Sequence, residues 1–291
     1  METVVKALYN TGFSCWNTLM RTSMTLFTTS PKTAGNSQPY AMMHTLYESL
    51  SAATIPIATC FFLIAIYRSV VTGPPEQQVR RFLTDAIKYT MILVVTGQLW
   101  TIMGHIISIT DGMTTSLGAA GTYELSMGSD LERIIHESLV LPPFELSGEW
   151  IGKLLESLGC SAMFLIGGVT IILVMTASGL SIISSAYGRI LKPLIMMPFA
   201  GIALAMGAGS GEMGRSTYQF AKTFIGFCLS GAVMVVIIKA GGTLSTAVVT
   251  GNLLSGSSIE NALIITVQAC ITPIITAGMV KAADQVISRM F

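Results

Sequence analysis

The residue types that could do chemistry in this 291-residue chain gather between Tyr187 and Lys222. Four cations lie there, Arg189, Lys192, Arg215 and Lys222, around the octet Gly209-Ser-Gly-Glu-Met-Gly-Arg-Ser216. The octet fits G-x-x-x-x-G-[K/R]-[S/T], the spacing of a loop that cradles phosphate with its backbone N–H groups. Such a loop needs a strand before it, a helix after it and a lysine for the phosphates. Here both flanks are apolar, Arg215 stands in the lysine's place, and no acidic partner strand is recognisable. The octet therefore reads as an interfacial turn. Glu212 and Arg215 are spaced to pair at i, i+3, and the small residues permit close helix packing.

Other chemistries find less. His44, His105 and His136 belong to no HExxH or triad-like set. Cysteines 15, 60, 160, 228 and 270 are isolated, with no CxxC pair, so neither a zinc site nor a disulfide framework is expected. Gln98 and His105 lie seven apart on one apolar run and face the same way. They either line a cavity as a polar stripe or pack against other helices. Ion-coupled transporters carry carboxylates inside their spans, and the four most apolar runs here hold none. The residues predict no catalytic, cofactor-binding or metal site.

Composition sets the class of elements that must position these residues. Hydrophobic residues make up 52% and charged residues 11%, and the mean hydropathy is +0.68. A soluble domain carries roughly a quarter charged residues. The chain is thus expected to be an all-α polytopic membrane protein, and its net charge of +1 says nothing about nucleic acid. The first residues lack the pattern of a signal peptide, which leaves the first span as the insertion signal.

Residues 1–48 read as an amphipathic helix and linker, and 49–291 as the transmembrane domain. Over residues 3–28, Val5, Leu8, Tyr9, Gly12, Trp16, Leu19, Leu26 and Phe27 share one face. That helix either lies in the bilayer interface or packs on a partner or on the rest of the chain. A polar turn, Ser30 to Pro39, follows. Spans are predicted at 50–71, 79–110, 160–185, 224–238 and 259–280, with Asp85 spaced to pair with Arg81 and Lys88. Between the second and third spans, residues 111–158 form an acidic extracytoplasmic loop. Within it Ser129 and Glu132 have the capping-box spacing of a short helix stopped by Pro142 and Pro143, and a further helix starts near Ser147. A Gly/Ser/Thr-rich loop is expected over 241–258.

The central segment 187–222 decides the topology. Its apolar block, Leu194 to Ala208, falls short of the ~20 residues needed to cross the hydrocarbon as a helix. Pro193, Pro198, Gly209, Gly211 and Gly214 suit a re-entrant or broken segment, which at membrane depth must be packed in protein or line a cavity. If the block does not cross, ten cations share one side: Arg68, Arg80, Arg81, Lys88, Arg189, Lys192, Arg215, Lys222, Lys281 and Arg289. Six (Lys6, Arg21, Lys32, Arg133, Lys153 and Lys239) share the other. A full crossing gives seven against nine. Cations favour the cytoplasmic side, so five spans are expected, with the N-terminus outside and the C-terminus inside.

Tyr-Gly-Arg-(x2)-Lys-Pro from Tyr187, Met-Pro-Phe-Ala, Glu-Met-Gly-Arg-Ser and Phe-Ile-Gly-Phe-Cys-Leu-Ser-Gly-Ala follow one another here. Together they resemble the TrbL-type polytopic inner-membrane subunit of type IV secretion (conjugation) systems. IPIATCFFLIAIYRSV and RRFLTDAIKYTMILVV are similar to the same family's first two spans, so the resemblance covers roughly 45–285. It implies a structural subunit, not an enzyme, present in several copies in the bacterial inner membrane. Implied partners are the secretion ATPases, a small bitopic companion, a pilin-like subunit and single-stranded DNA bound to its relaxase. Arg189, Lys192, Pro193, Pro198, Glu212 and Arg215 match the family's pattern. The charged ones are candidates to face acidic partner surfaces, lipid head groups or passing nucleic acid, or to act as positive-inside anchors. A stand-alone small-molecule transporter or channel and a lysis or scaffold protein are the competing classes. The lack of an internal repeat disfavours the transporter.

Overall fold

The structure, a computed structural model, describes residues 2–72, 75–118, 124–126, 129–139, 148–209, 212–249 and 258–290. Every regular element among them is helical. The α-helices are α1 (Glu2–Thr28), α2 (Gln38–Thr72), α3 (Pro75–Gly118), α4 (Ser129–Leu139), α5 (Gly148–Met196), α6 (Ala200–Ala205), α7 (Glu212–Val249) and α8 (Ser258–Met290). Tight 3₁₀ turns occupy Ala34–Ser37, Met197–Phe199 and Met206–Ala208. Five stretches are long and apolar enough to cross a bilayer: Ala34–Ser69, Gln78–Gly118, Ser157–Ala208, Gly214–Gly241 and Thr266–Ile287. The chain is an all-α polytopic membrane protein with a broken helical segment after its third long apolar helix.

Several helices outrun their predicted ends. α3 continues to Gly118 and α5 starts at Gly148, so much of the stretch expected as the loop 111–158 is helical, and Asp111 belongs to α3. α7 likewise runs to Val249, through the first half of the loop expected over 241–258. α4 opens at Ser129 as the capping-box spacing predicts; Pro142 and Pro143 lie outside the described residues.

The chain divides into two compact units. The first gathers Met1–Leu26, Gly118–Ala186 and Met234–Ala283. In it α1 lies along α5 in parallel register, with Gly168 against Leu8 and Gly179 against Leu19. A Cβ on Gly179 would come within 2.6 Å of the Leu19 side chain, so only glycine allows that approach. Val5, Tyr9, Phe13, Trp16, Met20 and Met24 are buried, as are Phe164, Ile171, Met175 and Ile182 of α5. The Tyr9 hydroxyl meets Thr266 Oγ1 at 3.1 Å, and its ring meets Phe164 edge-on at 6.4 Å. Of the two fates open to α1, the structure takes packing on its own chain. The pattern of its apolar residues is satisfied by protein rather than by lipid.

The second unit gathers Phe27–Leu117, Tyr187–Val233 and Asp284–Phe291. α2 and α3 pair antiparallel. Trp100 sits among Tyr40, His44 and Tyr47 at centroid distances of 5.1, 4.8 and 5.2 Å, while further along α2 Phe62 stacks on Tyr89 at 4.5 Å. The broken segment lies against α2, with Gly201 facing Thr54. Ala58, Ile92, Ala205 and Ala208 close a small buried cluster. α7 then returns alongside: Thr217 Oγ1 donates to the carbonyl of Ala203 at 2.6 Å. The pairs Ala203–Thr217 and Arg189–Gly231 set α7 antiparallel to α5 and the broken segment. The chain therefore runs on from α5 to Ala208 and turns once. Of the two forms expected, this is a broken extension of α5 and not a dip with its own second reversal.

Candidate functional site

Arg189 and Asp111 are both buried in the second unit and paired with each other. α5 carries Arg189 seven residues before its end, and the side chain is 2% exposed. Its Nη2 donates to Asp111 Oδ1 of α3 at 3.0 Å, and its Nη1 donates to the backbone carbonyl of Phe27. The Ser30 hydroxyl donates to the other oxygen of Asp111. Phe27 and Ser30 border the connection from α1 to α2, so one ion pair fastens that connection to α3 and α5. The connection is held nearby as well, by Lys32 Nζ donating to Ser108 Oγ at 2.8 Å. It then passes through three left-handed residues, Gly35 at φ 58°, Asn36 at 59° and Ser37 at 64°. Glycine and asparagine tolerate that region; serine adopts it less readily.

On the far side of the guanidinium, α7 presents Gly231. A Cβ there would overlap the Nε and Cζ of Arg189. The glycine leaves the slot that the guanidinium fills. Burying two charges costs several kcal/mol per ion, which their attraction recovers only with good geometry and further hydrogen bonds. Both conditions are met here, since each partner has hydrogen bonds beyond the pair.

The structure separates the residues that sequence grouped as partner-, lipid- or DNA-facing. Arg189 is enclosed, so its guanidinium has no free surface on this chain. The cause is the oppositely charged Asp111 within reach on α3, which composition does not reveal. Lys192, one turn on, is partly exposed; it pairs with Asp284 of α8 and lies 5.3 Å from the Phe227 ring centroid. Arg215 is exposed in the first turn of α7. Glu212 opens that helix, and its side chain, with the pairing expected to Arg215, lies outside the described residues. Asp85 pairs with Lys88 at 3.6 Å.

The expected structural breaks also sort themselves. Pro193 does not end α5, which continues to Met196; the proline only leaves the Arg189 carbonyl without its helical donor. The break comes at Pro198, in the first 3₁₀ turn. Gly209 is extended at φ −77°, ψ 157° and ends the segment, its N–H donating to Met206 at 3.1 Å. Gly214 is inside α7, and Gly211 lies outside the described residues. The element before the Gly209–Ser216 octet is a 3₁₀ turn and not the strand a phosphate loop requires.

Among the described residues no three of His, Cys, Asp and Glu converge as metal ligands, and none of the five cysteines is in a disulfide. Gln98 and His105 both face outward from α3 rather than packing against other helices. In the first unit, the exposed carboxyl of Glu2 meets Lys6 at 2.9 Å and His136 at 3.0 Å. The hydrogen bond from Lys6, then that from His136, holds Glu2 below its usual range. No protein-family model, curated protein or solved structure matches this chain.

Proposed function

We propose that this chain is a structural subunit of a bacterial type IV secretion (conjugative transfer) machine, without enzymatic activity of its own. Several copies stand in the inner membrane and help form the channel or pilus-assembly platform through which relaxase-bound single-stranded DNA passes. Secretion ATPases and a pilin-like subunit are its partners. The observation that carries the reading is the run of motifs from Tyr187 to Ala232, together with the similar first two spans.

The sidedness belongs to the same proposal: N-terminus outside, C-terminus cytoplasmic. Its support is the clustering of cations. In the second unit Arg68, Arg80, Arg81, Lys88 and Arg215 lie toward the end shared by the C-terminus of α2, the start of α3 and the start of α7, and Lys32 and Lys192 lie away from it. Cations concentrated at one end of a helical bundle belong on the cytoplasmic side.

Deleting the gene from a donor strain tests the proposal. Transfer of a mobilisable plasmid should fall to background and return when the intact gene is supplied in trans. Unchanged transfer removes the reading. A stand-alone transporter or channel is the second reading, favoured by one observation, a carboxylate and a guanidinium paired inside candidate spans. Solute uptake by the purified chain in proteoliposomes, beside normal plasmid transfer in the deletion strain, would select it.

A further inference from the structure

α1 and α5 lie at the same depth, yet they present opposite kinds of surface. From Ser157 to Gly188 the chain carries no Asp, Glu, Lys or Arg, and this run lies within the third candidate span. Its outward residues are Ile166, Val169, Leu173 and Leu180, between 50% and 65% exposed. That is a face made for lipid. Beside it, Leu8 lies against Gly168 and Leu19 against Gly179, and Cys15 Sγ meets Thr176 Oγ1 at 3.5 Å. Residues 8–19 of α1 are thus held at the level of the middle of the uncharged run.

The outward face of α1 at that level is polar. Asn10, Ser14, Thr18, Arg21, Thr22 and Thr25 are all exposed and follow one another at helical spacing. A groove of about 470 Å³ runs along it, lined by Asn10, Ser14, Asn17, Thr18, Arg21 and Glu124 among others. The threonines donate to carbonyls one turn back, Thr18 to Ser14 at 2.8 Å and Thr22 to Thr18 at 2.9 Å. Back-bonded hydroxyls of this kind could face lipid. The rest of the face could not. Arg21 and Glu124 form an ion pair at 2.6 Å with side chains 72% and 55% exposed, and Asn17 exchanges two hydrogen bonds with the backbone of Leu125, at 2.8 and 2.9 Å. An ion pair open to hydrocarbon would forfeit its hydration with nothing in exchange.

We propose that the polar face of α1 lines a water-filled passage at membrane depth. The opposite face of the helix is already satisfied by the core of its unit, so α1 is a lining element braced by a spanning one. Among the described residues from Asn10 to Thr25 the lining is neutral apart from the Arg21–Glu124 pair, which suits hydrated cargo without selection by charge. Further protein, such as other copies of the chain, must enclose the water. The inference does not depend on whether the chain serves secretion or transport.

Spin labels in lipid nanodiscs test it. With the five native cysteines replaced by serine or alanine, labels are attached at Ser14→Cys, Thr18→Cys and Thr22→Cys, and at Val169→Cys, Leu173→Cys and Leu180→Cys. The α1 labels should be relaxed several-fold more by a water-soluble nickel chelate than by oxygen, and the α5 labels the reverse. Oxygen-dominated relaxation on α1 would mean that the face meets lipid. Shielding from both agents would mean that protein covers it. Nickel-dominated relaxation at all six sites would place the helix pair outside the bilayer. Each of these three results overturns the proposal. A second measurement uses the unaltered chain, in which a charged methanethiosulfonate should modify the partly exposed Cys15, next in sequence to Ser14 of the polar face, and spare the buried Cys160; an unreacted Cys15 counts against it.

Discussion

Truncating Arg189 to alanine strips a hydrogen-bonded guanidinium from Asp111 and from the Phe27 carbonyl at once. The carboxylate would then be buried without its counter-charge, a loss of about 3–5 kcal/mol. Arg189→Ala should accordingly unfold well before the unaltered protein when melting is followed in detergent. Adding Asp111→Asn should recover much of that loss, because the uncompensated charge disappears. If Arg189 instead served a surface, the single variant would melt normally and the pair would show no coupling. Gly231 supplies an independent check. Gly231→Ala drives a methyl into the guanidinium and should cost about 1–3 kcal/mol as overpacking, but little once Arg189 has been truncated. The Glu2 carboxyl acts on a smaller scale. Its folded pKa lies below the unfolded value, so its contribution is present above the unfolded pKa and fades as pH falls through the lower folded one. At this scale sequence was informative about type and silent about partner. Arg189 stood out as a cation flanking an apolar block, but Asp111 lies 78 residues away, and nothing local links the two.

Among the elements, the broken segment tests how far proline and glycine can be read from sequence. A break between the third and fourth long apolar helices was legible, because Pro198 and the glycines of 207–214 leave no uninterrupted helical stretch. Which proline breaks the helix was not legible. Pro193 is carried inside α5 because losing one helical hydrogen bond is tolerated where packing holds the turn, with Leu194 and Met197 both buried. Pro193→Ala should therefore leave the melting unchanged or raise it, by at most the roughly 3 kcal/mol that separates proline from alanine inside a helix, since the helix persists either way. Gly201 behaves differently. A Cβ there would run into the Thr54 hydroxyl, so Gly201→Leu must separate the segment from α2 and should cost about 1–3 kcal/mol. Equal melting of these two variants would mean that the segment does not rest on α2. α1 teaches a similar limit. Its amphipathic period was readable, and Val5, Tyr9, Trp16 and Phe27 are buried as that period requires. Period alone leaves open whether protein or lipid covers such a face; the answer came from glycines of α5, 160 residues away.

For the whole molecule, the five-span count was legible because long uncharged apolar runs have few alternatives in water or lipid. Sidedness rests on sums of cations, and here the contacts of the second unit change the sum. Arg189 was counted with the cytoplasmic cations and Asp111 with the outer acidic loop, yet the two side chains touch. A pair in contact occupies one depth, so the two cannot be counted on opposite sides of the membrane. The remaining cations of the second unit still favour the end where α7 begins, and the proposed orientation makes that end cytoplasmic. Cysteine labelling in intact cells decides it. In a background without native cysteines, Glu132→Cys on α4 and Arg215→Cys on α7 are both at exposed positions. A membrane-impermeant maleimide should label the first in intact cells and the second only after the membrane is opened. The opposite pattern would invert the protein and turn its cationic end outward, away from any cytoplasmic ATPase. Labelling of both in intact cells would put an odd number of crossings between them out of reach, and the five-span count would fall with the orientation.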